Sequence, residues 1–125
     1  MKFRIFQITS GRKIAIGRNS SNNDELVANS KRTDVLLHTA MPGSPFCNVG
    51  ESPAKDEIKE ASVICAKYSQ DWRDNKRDVI IHMFLKADTF KNIKMKEGTW
   101  SVKKKKDIKV KKEDIIKFES EVKKV

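Results

Sequence analysis

SPAKDEIKEASVICAKYS, residues 52–69, is separated by the polar stretch 70–77 from DVIIHMFL, residues 78–85, and the contrast between the two runs decides the fold class. In the first, Ile58, Ala61, Cys65 and Tyr68 recur at helical spacing. Ser52 and Pro53 supply an N-cap and a first-turn proline, and Asp56 and Glu57 fall where a helix dipole favours acids. That pattern predicts an amphipathic helix over 53–69. In the second run almost every successive residue is apolar, which suits a central strand buried on both faces.

Working outward, Met41-Pro42-Gly43-Ser44-Pro45 predicts a turn before a short strand at Phe46–Val49, and Asp34–His38 has the length and composition of another strand. The segments Lys2–Thr9 and Lys13–Ile16 read as a β-hairpin about Ser10-Gly11. Asp24–Ala28 reads as a short helix capped by Asn22 or Asn23. Gln70–Arg77 reads as a polar connector. Beyond it, strands at about Trp100–Lys103 and Lys106–Val110 bracket a Lys103–Lys106 turn. A last helix from Lys112 puts Ile115, Ile116, Phe118 or Glu119, and Val122 on one side. The expected architecture is α+β: one domain over residues 1–125, a mostly antiparallel sheet of hairpin-connected strands packed by one long amphipathic helix and a C-terminal helix.

The chain has 125 residues, 38% hydrophobic and 35% charged, with a formal net charge of +10. That balance favours a polyanionic partner over a small neutral ligand. The charge is segregated: residues 1–90 hold 14 Lys or Arg against 11 acids, and residues 91–125 hold 13 Lys against 6 acids. Lysine meets phosphate as a point charge without fixed geometry, so a lysine-rich C-terminal region predicts contact with a nucleic-acid backbone rather than base reading. No apolar run is long enough to span a membrane, and the N-terminus lacks the apolar stretch of a signal peptide, so no membrane partner and a cytoplasmic location are expected. Cys47 and Cys65 have no CxxC spacing and are expected as buried, reduced thiols. With only His38 and His82 besides, no metal or other cofactor is expected.

Chemistry has few footholds. The glycines are scattered rather than gathered into a phosphate loop, Ser44 resembles no nucleophile elbow, and no carboxylate cluster suits two metals. The chain is therefore expected not to be an enzyme. His38 and His82 sit in apolar runs and read as structural. The loop Gly17-Arg18-Asn19-Ser20-Ser21-Asn22-Asn23 offers donors for a phosphate or base edge, or is a solvated turn. Pro42-Gly43-Ser44 is a second such turn. Lys103, Lys104, Lys105, Lys106, Lys109, Lys111 and Lys112, with one acid among them, form the strongest local positive field. Trp100, just before them, is expected in the core rather than against a base.

In order, Gly17-Arg18-Asn19, Asn23-Asp24-Glu25-Leu26, Asp34-Val35-Leu36-Leu37-His38 and Pro42-Gly43-Ser44 resemble the signature of the NFACT-R domain family. The helix ending Ala66-Lys67-Tyr68-Ser69, the run Val79–Leu85, the turn at Gly98 and Ile108–Val110 resemble the rest of it, so that the likeness covers about 8–112. Leu36 stands where the family has tryptophan, and Pro45 where it usually has histidine. The resemblance implies a stand-alone RNA-binding domain akin to that of the ribosome quality-control factors, with tRNA or rRNA and the large ribosomal subunit as partners. It places binding on Arg18, Asn19, Asn23, His38 and Ser44, beside the lysines already named. A protein-interaction adaptor and a general DNA- or RNA-binding module are the alternatives.

Overall fold

The computed structural model describes residues 3–41, 43–92 and 94–123, without the side chains of Val122 and Lys123. Lys2, Pro42 and the side chain of Val122, which enter the expectations above, therefore lie outside the described residues.

Six strands form one antiparallel sheet in the order β1-β2-β4-β3-β5-β8: β1 (Arg4–Gln7), β2 (Lys13–Ile16), β3 (Asp34–Thr39), β4 (Cys47–Glu51), β5 (Val79–Leu85) and β8 (Lys106–Val110). The helices are α1 (Ser20–Asn29), α2 (Lys55–Lys67), α3 (Gln70–Asn75) and α4 (Lys112–Lys123). The α+β class, the opening hairpin, the long helix and the interior position of the 78–85 run all hold. Because every pairing is antiparallel, β2 runs parallel to β3 with β4 between them, and β4 runs parallel to β5 with β3 between them. Both crossovers advance the same way across the sheet from strands pointing oppositely. A shared right-handed sense then sends their helices to opposite faces.

The packing follows that division. On one face Leu37, Cys47, Val79 and Ile81 pack with Ile64 and Cys65 of α2 and with Ile115 of α4. On the other, Leu36, Phe46 and Phe84 pack with Leu26 and Val27 of α1, while Trp100 and Val102 close over them. Alternation along β3 and β5 therefore places the register pairs Leu36↔Phe84 and His38↔His82 together on the α1 face. Cys47 and Cys65 are buried and free, and burial together with the Cys65 thiol pushes the Cys47 thiol up.

Several local expectations are corrected. Asn19, not Asn22 or Asn23, caps α1: its Oδ1 accepts from Asn22 N at 2.9 Å. Ser52 sits at φ 48° and does not cap α2, whose N-cap is Ala54. There the Ala54 amide donates to Glu57 Oε1 at 2.8 Å. Glu57 also accepts from Ser10 Oγ (2.5 Å) and Arg12 Nε (3.1 Å), tying the first hairpin to α2. The Ser10 bond first, then the Ala54 amide and Arg12, hold its carboxyl at about 2 against a smaller opposing effect of desolvation. The connector 70–77 contains α3, capped by Ser69, and Trp72 on it is buried in the core. In α4, Ile115 is buried but Ile116 is 47% exposed. Finally, no hairpin joins 100–103 to 106–110. Strand β7 (Ser101–Val102) pairs instead with β6 (Thr89–Phe90) in a separate ribbon, and β8 pairs with β5 at the sheet edge. Two residues of pairing leave no period to read, and the shared lysine run hides that the two strands belong to different sheets.

Candidate nucleic-acid interface

The loop after β2 divides its polar side chains, burying Asn22 and Asn23 and leaving Arg18, Asn19, Ser20 and Ser21 exposed. Arg18 N donates to Asn22 Oδ1 at 2.9 Å, and buried Asn23 accepts from Phe46 N at 3.0 Å through its Oδ1. Ser44 is buried as well, its Oγ accepting from Thr39 N at 3.0 Å. Asn23 and Ser44 thus spend their side-chain oxygens shaping the site, as Asn19 Oδ1 does in capping α1, and among the exposed side chains of Arg18, Asn19, Ser20 and Ser21 the charged one is Arg18.

What that shaping presents is a cleft of about 250 Å³ into which Arg4 of β1, Arg18 and Arg73 of α3 all project, beside the first residues of α1. Arg4 is held over the Tyr68 ring with its Cζ 4.7 Å from the ring centre. Among the described residues no carboxylate forms an ion pair with any of these three guanidinium groups, and the first turn of α1 carries no acid. Three uncompensated guanidiniums beside a helix N-terminus favour a bound anion, and the fork geometry of arginine suits phosphate. Arg4 and Arg73 escape sequence reasoning because residues 4, 18 and 73 share no local pattern. The one signal available is that all six arginines precede residue 90, away from the lysine-dense region.

A second, larger cleft of about 730 Å³ shares Ser20, Asn23, Gly43 and Ser44 with the first. It contains His38, His82, Phe90, Trp100 and Lys105. Its outer wall is fixed by Asp24, whose Oδ1 accepts from Lys91 Nζ (2.7 Å), Gly98 N (3.0 Å) and Trp100 Nε1 (3.0 Å). Burial works against the Asp24 carboxylate, but these three donors together hold its pKa below the ordinary value. Trp100 is accordingly a braced wall packed on the core, as expected of it.

The lysines divide. Lys105 reaches the larger cleft, and Lys104 and Lys106 join it along a groove beside Val35 and Leu85. Lys103 is exposed, and its amide donates to Asp88 O at 2.9 Å. Lys109 lies 3.5 Å from Asp78 Oδ2, and exposed Lys111 stands at the start of α4 beside the same carboxylate. Of the residues singled out in the sequence, the structure gathers Arg18, Asn19, Asn23, His38, Ser44 and Lys105 about two joined clefts. It leaves Lys109 and Lys111 at the far end of β8.

His38 packs 4.3 Å from the Phe46 ring, and its Nδ1 is 2.8 Å from Thr39 O. Burial lowers its pKa to about 4, with the Thr39 contact opposing and the facing His82 adding to the fall. His82 is lowered too, by burial and then Lys105, while Asp107 at 3.4 Å opposes. A neutral His38 must hold its proton on Nδ1 to satisfy Thr39, which leaves Nε2 as an acceptor. The unfolded chain takes up the proton first, so His38's contribution to stability is complete above about pH 6.5 and is lost as pH falls toward 4. The urea midpoint is expected to drop across that window by an amount worth on the order of 2 kcal/mol. His38→Asn is expected to flatten the drop, and an equal drop in that variant would assign it elsewhere.

Among the described residues no group of three or more His, Cys, Asp or Glu side chains is placed to hold a metal ion. No helix among them is long and apolar enough to cross a membrane. A family model described as the NFACT protein RNA binding domain matches residues 2–104. The match begins earlier than the resemblance read from the motifs and ends in the lysine loop, before β8 and α4. No curated protein sequence matches the chain. Among solved structures, the C-terminal part of the fibronectin/fibrinogen-binding protein from Streptococcus suis is similar, with a TM-score of 0.81 at 23% identity. That likeness, which is one of fold, covers 94% of this chain and 49% of the other, so this chain spans about half the length of its structural neighbour.

Proposed function

Because this chain belongs to the NFACT RNA-binding domain family, we propose that it is a non-enzymatic module that holds tRNA or ribosomal RNA by its phosphates, at the large ribosomal subunit. The observation that carries the reading is the convergence of Arg4, Arg18 and Arg73, without acid partners among the described residues, on one cleft. Phosphate is the anion that an arginine fork fits best, and RNA presents it in series. Lys104, Lys105 and Lys106 continue the positive surface past the larger cleft. The strongest grip thus sits in the N-terminal half and α3, with the lysine loop as its extension. His38 holds its proton on Nδ1 against Thr39 O and presents Nε2 as a hydrogen-bond acceptor.

Filter binding of tRNA and of rRNA fragments over a range of salt concentrations tests this. Each phosphate contact contributes about 0.7 to the log–log salt slope on single strands and about 0.9 on duplex. Arg18→Ala is expected to lower the slope by roughly one contact and affinity several-fold. Arg4→Gln, Arg18→Gln and Arg73→Gln together are expected to weaken binding at least tenfold, about the scale of three lost charge-assisted contacts. Affinity no better than that of an unrelated basic protein, indifferent to these changes, would overturn the proposal. Crosslinking in cells followed by sequencing of the attached RNA tests the partner. Enrichment of tRNA or rRNA is expected, and its absence, with a pull-down that survives nuclease, would move the function to a protein adaptor.

A further inference from the structure

We propose that the larger cleft receives one unstacked base of a single-stranded RNA whose neighbouring phosphate lies on the arginine cleft, the base stacking on Phe90. This rests on the phosphate-binding reading above and adds to it a choice of RNA form.

The first ground is Phe90 itself. It is 44% exposed, although it sits on a strand whose pairing with Ser101 holds its backbone in place. An aromatic ring fixed at its base and open on its face is what sequence-tolerant nucleobase stacking uses. The wall behind it does not yield, because Asp24 ties Gly98, Trp100 and Lys91 to α1.

The second ground is polarity. The cleft, at about 730 Å³, falls within the usual range of small-ligand pockets and sets Phe46, Phe84, Phe90 and Trp100 among many hydrogen-bonding side chains. One of these is His38, whose Nδ1 is engaged with Thr39 O, so that Nε2 is left to accept from a base N–H.

The third ground is continuity with charge. The two clefts share the wall formed by Ser20, Asn23, Gly43 and Ser44. Arg4, Arg18 and Arg73 stand on one side of that wall, and Lys105 stands in the cleft on the other. A polyanionic strand crossing it would meet positive charge at both ends and, between them, an aromatic chamber whose lining also holds the carboxylate of Glu97, exposed to solvent. A duplex keeps its bases stacked and paired, so it can use the arginines but not the chamber.

Two RNA probes of equal phosphate number separate the ideas: an unstructured single-stranded oligonucleotide and a blunt perfect duplex. The single-stranded probe is expected to bind more tightly. Phe90→Ala, at an exposed position, is expected to weaken it by roughly tenfold, within the range measured for a lost base stack, with duplex binding and salt slope unchanged. A 2-aminopurine reporter scanned along the single strand is expected to change fluorescence on binding at one position, and to lose that change in Phe90→Ala. If Phe90→Ala binds both probes as the parent does, with the reporter response intact, base insertion is overturned while phosphate binding stands. If neither probe is held better than by an unrelated basic protein, the phosphate reading itself has failed.

Discussion

Replacing Trp72 with alanine is expected to cost about 3 to 5 kcal/mol, a large share of the stability of a domain this size. The ring is 2% exposed, and it belongs to the main core cluster with α2, the sheet and Ile115 of α4. It is also bonded at both ends. Its backbone amide donates to Ser69 Oγ at 3.1 Å, capping α3, and its Nε1 donates to Glu119 Oε2 of α4 at 3.2 Å. Truncation therefore removes the largest buried side chain, opens a cavity between α3 and α4, and leaves Glu119 with Lys67 at 3.8 Å as its remaining partner. Trp72→Phe restores much of the volume without the Nε1 donor and is expected to cost about 1.5 to 3 kcal/mol, the range for a hydrogen bond to a charged group. Urea denaturation of both variants measures the difference. A Trp72→Ala midpoint within error of the parent would remove Trp72 from the core.

That residue also marks where the sequence stops being legible. Helix α2 is readable because it carries a helical period over many residues, and strand β5 because it is an almost unbroken apolar run of strand length beyond a polar stretch. Gln70–Arg77 offers one tryptophan among polar residues, so a single anchor with no repeat reads as a connector. The 89–102 ribbon fails for a related reason, since its strands are two residues long and its position depends on a carboxylate, Asp24, that is distant in sequence. The candidate site divides in the same way. The Gly17–Asn23 loop and the Met41–Pro45 segment are visible as local composition, and Gly43, Ser44 and Pro45 of the second do line one cleft with the first. The arginine convergence is tertiary, set by strand order and by the folding back of α3, neither of which any window of sequence contains.

Charge density likewise points to a place without ranking its members. Thirteen lysines after residue 90 draw attention to the C-terminal region. Asp78 and Asp107, however, lie close to Lys109 and His82, so part of that field is answered locally. The arginines of the small cleft are not answered by any acid among the described residues. Uncompensated charge, rather than total charge, is what a phosphate competes for, and it is a property of the fold.

Gly17→Ala is expected to disturb fold and site together. A Cβ built on Gly17 would lie 1.9 Å from Asn23 Oδ1 and 2.9 Å from its Cγ, with the Asn23 Cα at 3.2 Å. Gly17 is itself buried, and its amide donates to Phe46 O at 3.1 Å, while Asn23 Oδ1 accepts from Phe46 N at 3.0 Å. The methyl group can enter only if Asn23 leaves, which strands the buried Phe46 amide and shifts α1 relative to β4. An unsatisfied buried amide costs about 1 to 3 kcal/mol and the overpacking a similar amount, so a loss of roughly 2 to 6 kcal/mol is expected. A double-mutant cycle identifies the cause. Asn23→Ala alone forfeits the bond to Phe46, and adding Gly17→Ala is then expected to cost less than it does in the parent, because the nearest obstructing atoms are gone. Strict additivity would place the clash elsewhere. Because Asn23 forms part of the wall shared by the two clefts and Arg18 follows Gly17, the same substitution is expected to weaken RNA binding where the variant remains folded. Asn23→Ala keeps Gly17 in place and is expected to weaken it less, and that difference between two folded variants measures how far the loop's shape, apart from its charge, positions Arg18.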